Sequence, residues 1–381
     1  MPPAEPAEHP GRILFLNGIN TAFGGSGRNL MSAWLTSLHR TGTEVNVLDT
    51  VPTFGFKRKS ACLSALWAAY FLPGTLLRVS RFPGLELTFK LSPILAWRIL
   101  SRIVRMRPDL VVFSHHNTFA YCLFVSRRRR VFIIHDLLYI RARFMGYPKR
   151  LCKMLLNVEL WVYKMAEHVV LLSHDERRIV ERFLGNRVAL ASCLDPDEVV
   201  TGPPASLDRR IALVSDWRRE ENLHGLLTFF SASRDSGTLG SALEFVLYGF
   251  ESAQATRKIA SVAAQTGHTF TNGGTYATFA DIGQLFFLVP IYRGAGIKRK
   301  TIETLQAGRF VFGTSAAFIG LRPSFLKDRS RSIKSPRDII LPDAVPSDIS
   351  EAFRTYYFTE FGDIGELLVG FLDADPARRS R

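Results

Sequence analysis

The sequence predicts an α/β protein of two Rossmann-like domains that face a central cleft. Its 381 residues are more than one ordinary hydrophobic core holds and suit two domains. Short apolar strands alternate with helical segments in both halves of the chain, which is the pattern of a parallel sheet covered by helices. A stretch rich in proline and glycine, residues 201–206, separates the two runs. With 47% hydrophobic and 22% charged residues, the composition excludes a mostly disordered chain.

The N-terminal domain is predicted to cover residues 11–200. It opens with a strand at 12–17, a glycine-containing loop at 18–27 and a helix at 29–40 whose apolar residues recur at helical spacing. This strand–loop–helix order is the start of a parallel sheet. Further buried strands are predicted at residues 44–48, 110–113, 131–134 and 168–172.

The C-terminal domain is predicted to cover residues 210–350, after a linker at 201–209. Its strands are expected at residues 211–214, 243–248, 285–289 and 310–313, and its helices from about residue 222 and near 300–307. Residues 351–381 are predicted to form a C-terminal helix and tail.

The chain is strongly basic, and the excess lies in its first half. It carries 49 Lys and Arg against 34 Asp and Glu, a net charge of +15. Residues 1–200 hold 27 basic and 15 acidic side chains, whereas residues 201–381 hold 22 and 19. Such a bias favours an anionic partner: a phosphorylated substrate, a nucleic acid or an anionic lipid surface.

Residues 57–107 form a basic insertion in the predicted N-terminal domain. Ten Lys and Arg but a single acid, Glu86, lie there among tryptophan, tyrosine and phenylalanine side chains. Helices of this composition lie against anionic membrane surfaces. The alternative is core helices with a solvated basic face, and composition does not separate the two.

Cysteine usage and the apolar pattern bear on location. The four cysteines lie far apart and include no C-x-x-C pair, which argues against a zinc site or a disulfide framework and fits a reducing compartment. Residues 1–10 show no secretory signal, and the longest apolar run, 61–77, is interrupted by Pro73 and Gly74. We therefore expect a cytoplasmic protein, peripheral to the inner face of the membrane.

The most specific segment is residues 285–321. A hydrophobic strand there ends at Pro290, a tight Gly-Ala-Gly turn follows at 294–296, and a helix begins near Ile297. The N–H groups of a helix start, next to Lys298, Arg299 and Lys300, make an anion site that fits a diphosphate. The carboxylate of Glu303, within the first turns of that helix, is placed to accept hydrogen bonds from ribose hydroxyls.

This segment resembles the donor-binding segment of the group 1 glycosyltransferases, family 4 in the carbohydrate-enzyme classification, which have the GT-B fold. One branch of them carries G-x-G-I-(K/R)-x-K-x-x-E-x-x-x-x-G. The matching residues here are Gly294, Gly296, Ile297, Lys298, Lys300, Glu303 and Gly308. The resemblance implies that Lys298 or Lys300 binds the donor phosphates and that Glu303 binds the donor ribose. Most of the wider family has a second glutamate eight residues earlier, where this chain has Ala295.

The resemblance extends to the predicted N-terminal domain. Phe23, Gly24, Gly25 and Arg28 resemble the glycine loop that faces the donor phosphates across the cleft, so Gly24 and Gly25 are predicted to bind the donor and Arg28 the acceptor. The likeness covers most of the chain, strongly over 285–321 and weakly over 50–110.

Two short polar segments that contain histidine, His115-His116 and His135-Asp136, each follow a buried strand. They should lie at the carboxyl edge of the sheet, where α/β clefts form. His135 and Asp136 are predicted to be catalytic, and His115 and Asn117 to bind the acceptor. In the family, a histidine at the place of His135 commonly contacts the donor sugar or the acceptor. Asp136 is expected to hold that imidazole or to accept the acceptor's proton. The alternative is that both pairs cap helices or bond to loop backbone.

Other chemistries lack their patterns. The histidine pairs are 19 or more residues apart with no cysteine at ligand spacing, so no metal site is expected. Residues 24–27 do not make a dinucleotide fingerprint, no phosphate-loop motif of ATPases is present, and no cofactor is expected.

Two hypotheses remain. The first is a glycosyltransferase that moves a sugar, with retention as the family implies, from a nucleotide-diphosphate sugar to a lipid-linked or polysaccharide acceptor at an anionic membrane surface. Its lysines and helix start would stabilise the leaving diphosphate without a metal, and domain closure would exclude water. The second is a non-catalytic basic protein that binds nucleic acid or another polyanion. The absence of a nucleic-acid motif in the sequence makes nucleic acid the less favoured partner.

Overall fold

In the computed structural model of the protein, the chain divides into two compact units. The first holds residues 1–143, 147–195 and 361–381, and the second holds residues 144–146 and 196–360. The structure describes residues 11–18, 26–50, 93–198, 206–217, 220–232, 243–249, 253–292 and 296–374.

The first unit is a parallel α/β fold. Its elements in chain order are β1 (Arg12–Asn17), α1 (Ser26–Arg40), β2 (Glu44–Asp49), α2 (Pro93–Met106), β3 (Leu110–Ser114), a 3₁₀ helix (His116–Phe124), β4 (Arg130–Ile134), α3 (Leu138–Phe144), α4 (Lys149–Tyr163), β5 (His168–Leu171), α5 (His174–Leu184) and β6 (Val188–Leu190). The strands form one sheet in the order β2-β1-β3-β4-β5-β6, and every pair in it is parallel.

The second unit repeats this architecture. Its elements are β7 (Ser206–Val214), α6 (Glu220–Ser231), β8 (Glu244–Tyr248), α7 (Ala253–Thr266), β9 (Thr269–Gly274), β10 (Gln284–Val289), α8 (Arg299–Gln306), β11 (Phe310–Gly313), α9 (Pro323–Leu326), β12 (Ser330–Ser332) and α10 (Ile349–Glu360). The sheet order is β12-β11-β10-β7-β8-β9, again with parallel pairs throughout.

The central strands are continuous apolar runs because a parallel sheet is covered on both faces. All residues of β3 and of β10 are buried. In each sheet the strand order reverses direction beside the first strand, at β1 and β3 in the first unit and at β7 and β10 in the second. Ligands of open α/β sheets bind at the carboxyl ends of the strands at such a switch point. The predicted fold class of two Rossmann-like α/β domains is confirmed.

Two predicted boundaries are corrected. The predicted linker 201–209 ends too late, because β7 begins at Ser206. Residues 351–381 were predicted as a single helix and tail, but the chain forms α10 in the second unit, turns at 361–363, and forms α11 (Ile364–Asp373) in the first. The apolar face of α11 packs against α1, which is why this last helix belongs to the first unit.

The predicted insertion 57–107 is described only in part, since residues 51–92 lie outside the described residues. Its C-terminal part is α2, which contacts β1 and the 3₁₀ helix. Leu95 and Ile99 are buried on this side, whereas Trp97 and Val104 are 72% and 74% exposed. Among the helices that the structure describes, none is long and apolar enough to cross a lipid bilayer.

Candidate active site

In the first unit the candidate residues follow β1, β3 and β4. Gly18 comes directly after β1 and donates its N–H to the carbonyl of Ser114, at the end of β3, over 3.0 Å. A Cβ at position 18 would overlap that carbonyl oxygen, so only glycine lets the two strand ends approach this closely. The carboxyl edge of the sheet is therefore tightly joined where β1 meets β3.

His135 is held at this edge by Ser114. The imidazole Nε2 lies 3.0 Å from Ser114 Oγ, and the ring lies 5.5 Å from that of Trp34 and 5.8 Å from that of His115. Burial and, next, the neighbouring His115 lower the pKa of His135 to about 3. His135 is therefore a neutral imidazole at neutral pH, suited to hydrogen bonding rather than to charge stabilisation.

His115 and His116 begin the 3₁₀ helix after β3. His115 has φ 79° and ψ 149°, a backbone region that residues other than glycine avoid. His116 is 6% exposed and its ring meets that of Phe119 edge-on at 5.5 Å. Burial lowers the pKa of His115 and lowers that of His116 to about 3. The edge thus holds three neutral histidines.

Asp136 does not have the expected role of holding the imidazole of His135. Its carboxylate forms an ion pair with Arg141 of α3, while the hydrogen-bond partner found for His135 is Ser114. Burial opposes ionisation of Asp136, but Arg141 and the neighbouring histidines outweigh it and lower the pKa. Asp136 is an ionised, paired carboxylate, so the expectation that it orients His135 is corrected.

The structure brings together His115, His135 and Asp136 among the predicted residues of the first unit. The backbone of Arg28 lies in the first turn of α1, and that of Asn117 in the 3₁₀ helix, but the side chains of both are outside the described residues. Gly24 and Gly25 lie outside them as well. Within the described part of the chain, no group of three or more His, Cys, Asp or Glu residues has the arrangement of a metal site.

In the second unit Lys300 is the centre of the candidate site. Its Nζ donates to Ser215 Oγ, directly after β7, and lies 3.1 Å from Asn222 Oδ1 at the start of α6. Asn222 Nδ2 in turn donates to the carbonyl of Asp216 over 2.9 Å. These bonds place the Lys300 ammonium at the carboxyl end of β7, next to the point where the strand order reverses.

The start of α8 lies beside this lysine. Lys298 occupies the N-cap position, and its carbonyl accepts the N–H groups of Thr301 and Ile302 at 2.9 and 3.2 Å. Gly296 precedes it, and Gly294 lies outside the described residues. The N-terminus of this eight-residue helix, with two lysines beside it, is an electropositive site for an anion.

Glu303 lies one turn into α8, where it forms an ion pair with Arg299. Burial raises the pKa of Glu303, and Arg299 partly offsets that rise. Tyr276 is close to this pair: burial and then the Glu303 charge raise its pKa to about 12. The predicted ribose-binding carboxylate is therefore present at the sheet edge, with Arg299 as its partner.

Five side chains of these clusters were not predicted as site residues from the sequence: Ser114, Arg141, Ser215, Asn222 and Tyr276. A signal existed for two of them, because Ser114 ends β3 and Ser215 follows β7, at the sheet edge that also identified His135. Arg141 and Tyr276 lie in a helix and a loop with no motif around them.

A comparison with protein families identifies the first unit. Residues 30–192 match the model of Glycosyltransferase Family 4. Over these residues the chain is similar to family 4 glycosyltransferases. This match lies in the first unit, whereas the motif at 285–321 lies in the second, so two separate parts of the chain lead to the same family. The predicted resemblance to the group 1 glycosyltransferases and the predicted enzyme class are confirmed.

Solved structures of GT-B proteins share the fold of this chain. Sucrose-phosphate synthase from Thermosynechococcus elongatus superposes with a TM-score of 0.59 and 13% identity, over 95% of this chain and 98% of that one. A glycosyltransferase from Rickettsia africae gives 0.57 and 12%, over 96% and 98%. Anabaena HepE, solved with UDP and glucose, gives 0.51 and 13%, over 95% and 99%. A comparison with the curated proteins gave no match.

Proposed function

We propose that this protein transfers a sugar from a nucleotide-diphosphate sugar and that its second unit binds the donor. The observation that carries the proposal is Lys300, whose ammonium is held by Ser215 and Asn222 beside the N-terminus of α8. A fixed cation next to a helix N-terminus stabilises a diphosphate both in the bound donor and as a leaving group. HepE, a protein of the same fold, was solved with UDP, which makes UDP the first nucleoside diphosphate to test.

The donor contacts follow from the site. Lys298 and Lys300 bind the diphosphate, Gly294 and Gly296 let it approach the backbone, and the carboxylate of Glu303 accepts the ribose hydroxyls. Gly24 and Gly25 of the first unit are proposed as further donor residues. Charge neutralisation by lysines and a helix N-terminus supplies what a metal supplies in other transferases, so we expect turnover without added metal.

The catalytic roles belong to His135 and Asp136. A neutral imidazole bonds to a sugar hydroxyl or to the acceptor, because its pKa of about 3 keeps it unprotonated. Asp136 and its partner Arg141 provide a fixed dipole at the end of β4. His115, Asn117 and Arg28 are proposed to contact the acceptor. Retention at the anomeric carbon is the expected outcome for the family.

The acceptor is proposed to be lipid-linked or a growing glycan, met at the inner face of the membrane by a cytoplasmic enzyme. The exposed side of α2 supports this. Trp97 and Val104 point to solvent there, and Arg98, Arg102 and Arg105 recur at helical spacing on the same helix. Leu123, in the adjoining 3₁₀ helix, is 66% exposed. Apolar side chains among arginines suit the surface of an anionic bilayer.

Calorimetric titration with UDP, GDP, ADP, CMP and a short oligonucleotide tests the donor proposal. We expect saturable binding of one nucleoside diphosphate. Replacing Glu303 by Gln should weaken it about ten- to hundredfold, because a hydrogen bond to a charged group is lost. The matched control is Glu351→Gln, an exposed carboxylate of α10, which should bind as the wild type does. Binding of the oligonucleotide alone, with a steep salt dependence, would instead favour the polyanion hypothesis.

A further inference from the structure

The turn between β4 and α3 carries the two proposed catalytic residues. His135 and Asp136 follow β4 directly, and α3 begins two residues later. Leu137 occupies the position before the helix: its carbonyl accepts the N–H groups of Ile140 and Arg141, both at 3.1 Å. A leucine side chain cannot cap a helix, so the first backbone N–H groups of α3 need acceptors from elsewhere.

Two buried glutamates from other helices supply those acceptors. Glu176 of α5 accepts the N–H of Leu137 over 2.9 Å. Glu159 of α4 accepts the N–H of Leu138 with Oε1 over 2.8 Å and that of Tyr139 with Oε2 over 3.0 Å. Three successive N–H groups are thus held by two carboxylates that lie 20 to 39 residues away in sequence.

Burial of the Glu159 and Glu176 carboxylates is unfavourable, so their presence at this turn indicates that the turn needs them. Glu159 and Glu176 are 1% and 0% exposed, and a buried carboxylate destabilises a fold unless hydrogen bonds compensate it. A serine or aspartate in place of Leu137 would accept the N–H of residue 139 or 140 only, so the N–H groups of Leu137 and Leu138 need acceptors from other elements. Two buried acids are therefore committed to one turn.

We propose that Glu159 and Glu176 are positioning residues for the proposed transfer: by holding the N–H groups of residues 137–139 they fix the turn that presents His135 and Asp136. The proposal rests on the proposed function. Because residues 135 and 136 lie between β4 and the N–H groups that the two glutamates hold, a shift of residues 137–139 moves both side chains relative to the substrate. Displacements of about 1 Å from a reactive geometry can cost about a hundredfold in rate.

The hydrogen bonds that hold this turn depend on the charge of Glu159. Both of its oxygens accept hydrogen bonds, and Oε1 also accepts the Tyr163 hydroxyl over 3.0 Å. Protonation of Glu159 removes the negative charge that strengthens all three bonds, so the turn is held less firmly. Burial raises the pKa of Glu159 to about 7, and the nearby Asp136 contributes to that rise. The ionisable groups that act on Glu159 are Asp136 and Tyr163, and Glu176 acts on the same Tyr163. Turnover should therefore fall as the pH drops below about 7, well above the pKa of His135.

The experiment compares kcat and KM across pH for the wild type, Glu159→Gln and Glu176→Gln. The new amide of Glu159→Gln turns an N–H₂ toward a backbone donor, so kcat should fall about ten- to hundredfold with the KM for the donor little changed. The fall of kcat below pH 7 should be absent in Glu159→Gln, because this variant has no carboxylate at that position. The side chain of Glu176→Gln keeps one acceptor oxygen for Leu137, so its effect should be a few-fold at most. The control is Glu181→Gln, on the same helix as Glu176 but with a side chain 41% exposed, and it should match the wild type.

Three results would overturn the positioning role. The first is a wild-type profile with no inflection near pH 7, which needs no variant to fold. The second is a folded Glu159→Gln protein with unchanged kcat. The third is a variant that is slower but keeps the wild-type pH profile, which would show a structural effect alone. Failure of the proposed function is distinct from all three, because then the wild type would turn over no nucleotide sugar at any pH.

Discussion

His115 combines a strained backbone with a buried imidazole. Its φ of 79° and ψ of 149° belong to a region that only glycine occupies without strain, and such strain costs about 1–3 kcal/mol. The conformation is held from both sides: the His115 N–H donates to the carbonyl of Ile133 over 3.2 Å, and the His115 carbonyl accepts the Thr118 N–H over 3.0 Å. The strained residue lies next to His135, and strained residues cluster at functional sites.

Paired substitutions separate the strain from the imidazole. His115→Gly and His115→Ala both remove the ring, but only glycine relieves the backbone. We expect the glycine variant to be more stable than the alanine variant, by roughly 1–2 kcal/mol after the entropy cost of glycine is subtracted. Both should turn over donor more slowly than the wild type. Thermal denaturation measures the first effect, and an alanine variant that melts at a higher temperature than the glycine variant would show that position 115 is unstrained.

At the scale of single residues, a position at the sheet edge was predictable where the residue follows a strand or lies in a motif. His135 and His115 were found because they follow buried strands, and Lys300 and Glu303 because they stand at fixed spacing on one helix. The two glutamates that hold the turn after β4 could not be found in this way. They come from the C-terminal half of α4 and the start of α5, and their roles depend on tertiary contacts that leave no local pattern.

At the scale of elements, the interior strands were predictable and the outer ones were harder to find. β1, β3, β4, β10 and β11 are apolar runs that parallel pairing buries on both faces. The three missed strands, β6, β9 and β12, lie at the edges of the sheets. Edge strands pair on one side only, so they tolerate short and polar sequences such as Ser330–Ser332.

Helix α11 was the element whose assignment changed most. It follows the second unit in the sequence but belongs to the first unit. There Ser37 of α1 donates a hydrogen bond to Asp363 and accepts one from the N–H of Gly365 over 2.7 Å. A Cβ at position 365 would lie 2.6 Å from Ser37 Oγ and 2.7 Å from the Ser37 carbonyl oxygen. The close approach of α1 and α11 therefore requires glycine.

Two glycines of α11 give a matched test of this contact. Gly365→Ala should destabilise the first unit by about 1–3 kcal/mol, because the new methyl group forces the backbones of two helices apart. Gly370→Ala lies on the same helix, where a Cβ would meet nothing within 4 Å, and should be neutral or stabilise by up to about 1 kcal/mol. Urea denaturation followed by circular dichroism compares them. Equal stability of the two variants would contradict the tight packing at Ser37.

At the scale of the whole molecule, charge is unevenly distributed between the units. Residues 93–130 alone carry eight arginines and one acid, Asp109. Trp97, Val104 and Leu123 are largely exposed in the same stretch. A surface that is both basic and apolar binds an anionic bilayer by two contributions: charge attraction, which salt screens, and burial of apolar side chains, which salt does not weaken.

Vesicle co-sedimentation separates these contributions. Replacing Arg98, Arg102 and Arg105 by Gln should weaken binding to phosphatidylglycerol-containing vesicles by about a hundredfold, since each basic side chain near such a surface contributes about 1 kcal/mol. Trp97→Ala should weaken it at high salt as well as at low salt. The control replaces Lys258, Lys327 and Lys334, exposed residues of the second unit, and removes the same net charge. If both triple variants lose binding equally, net charge rather than the α2 surface determines the attraction. If neither loses it, α2 is not the membrane-binding surface, and the acceptor reaches the enzyme without it.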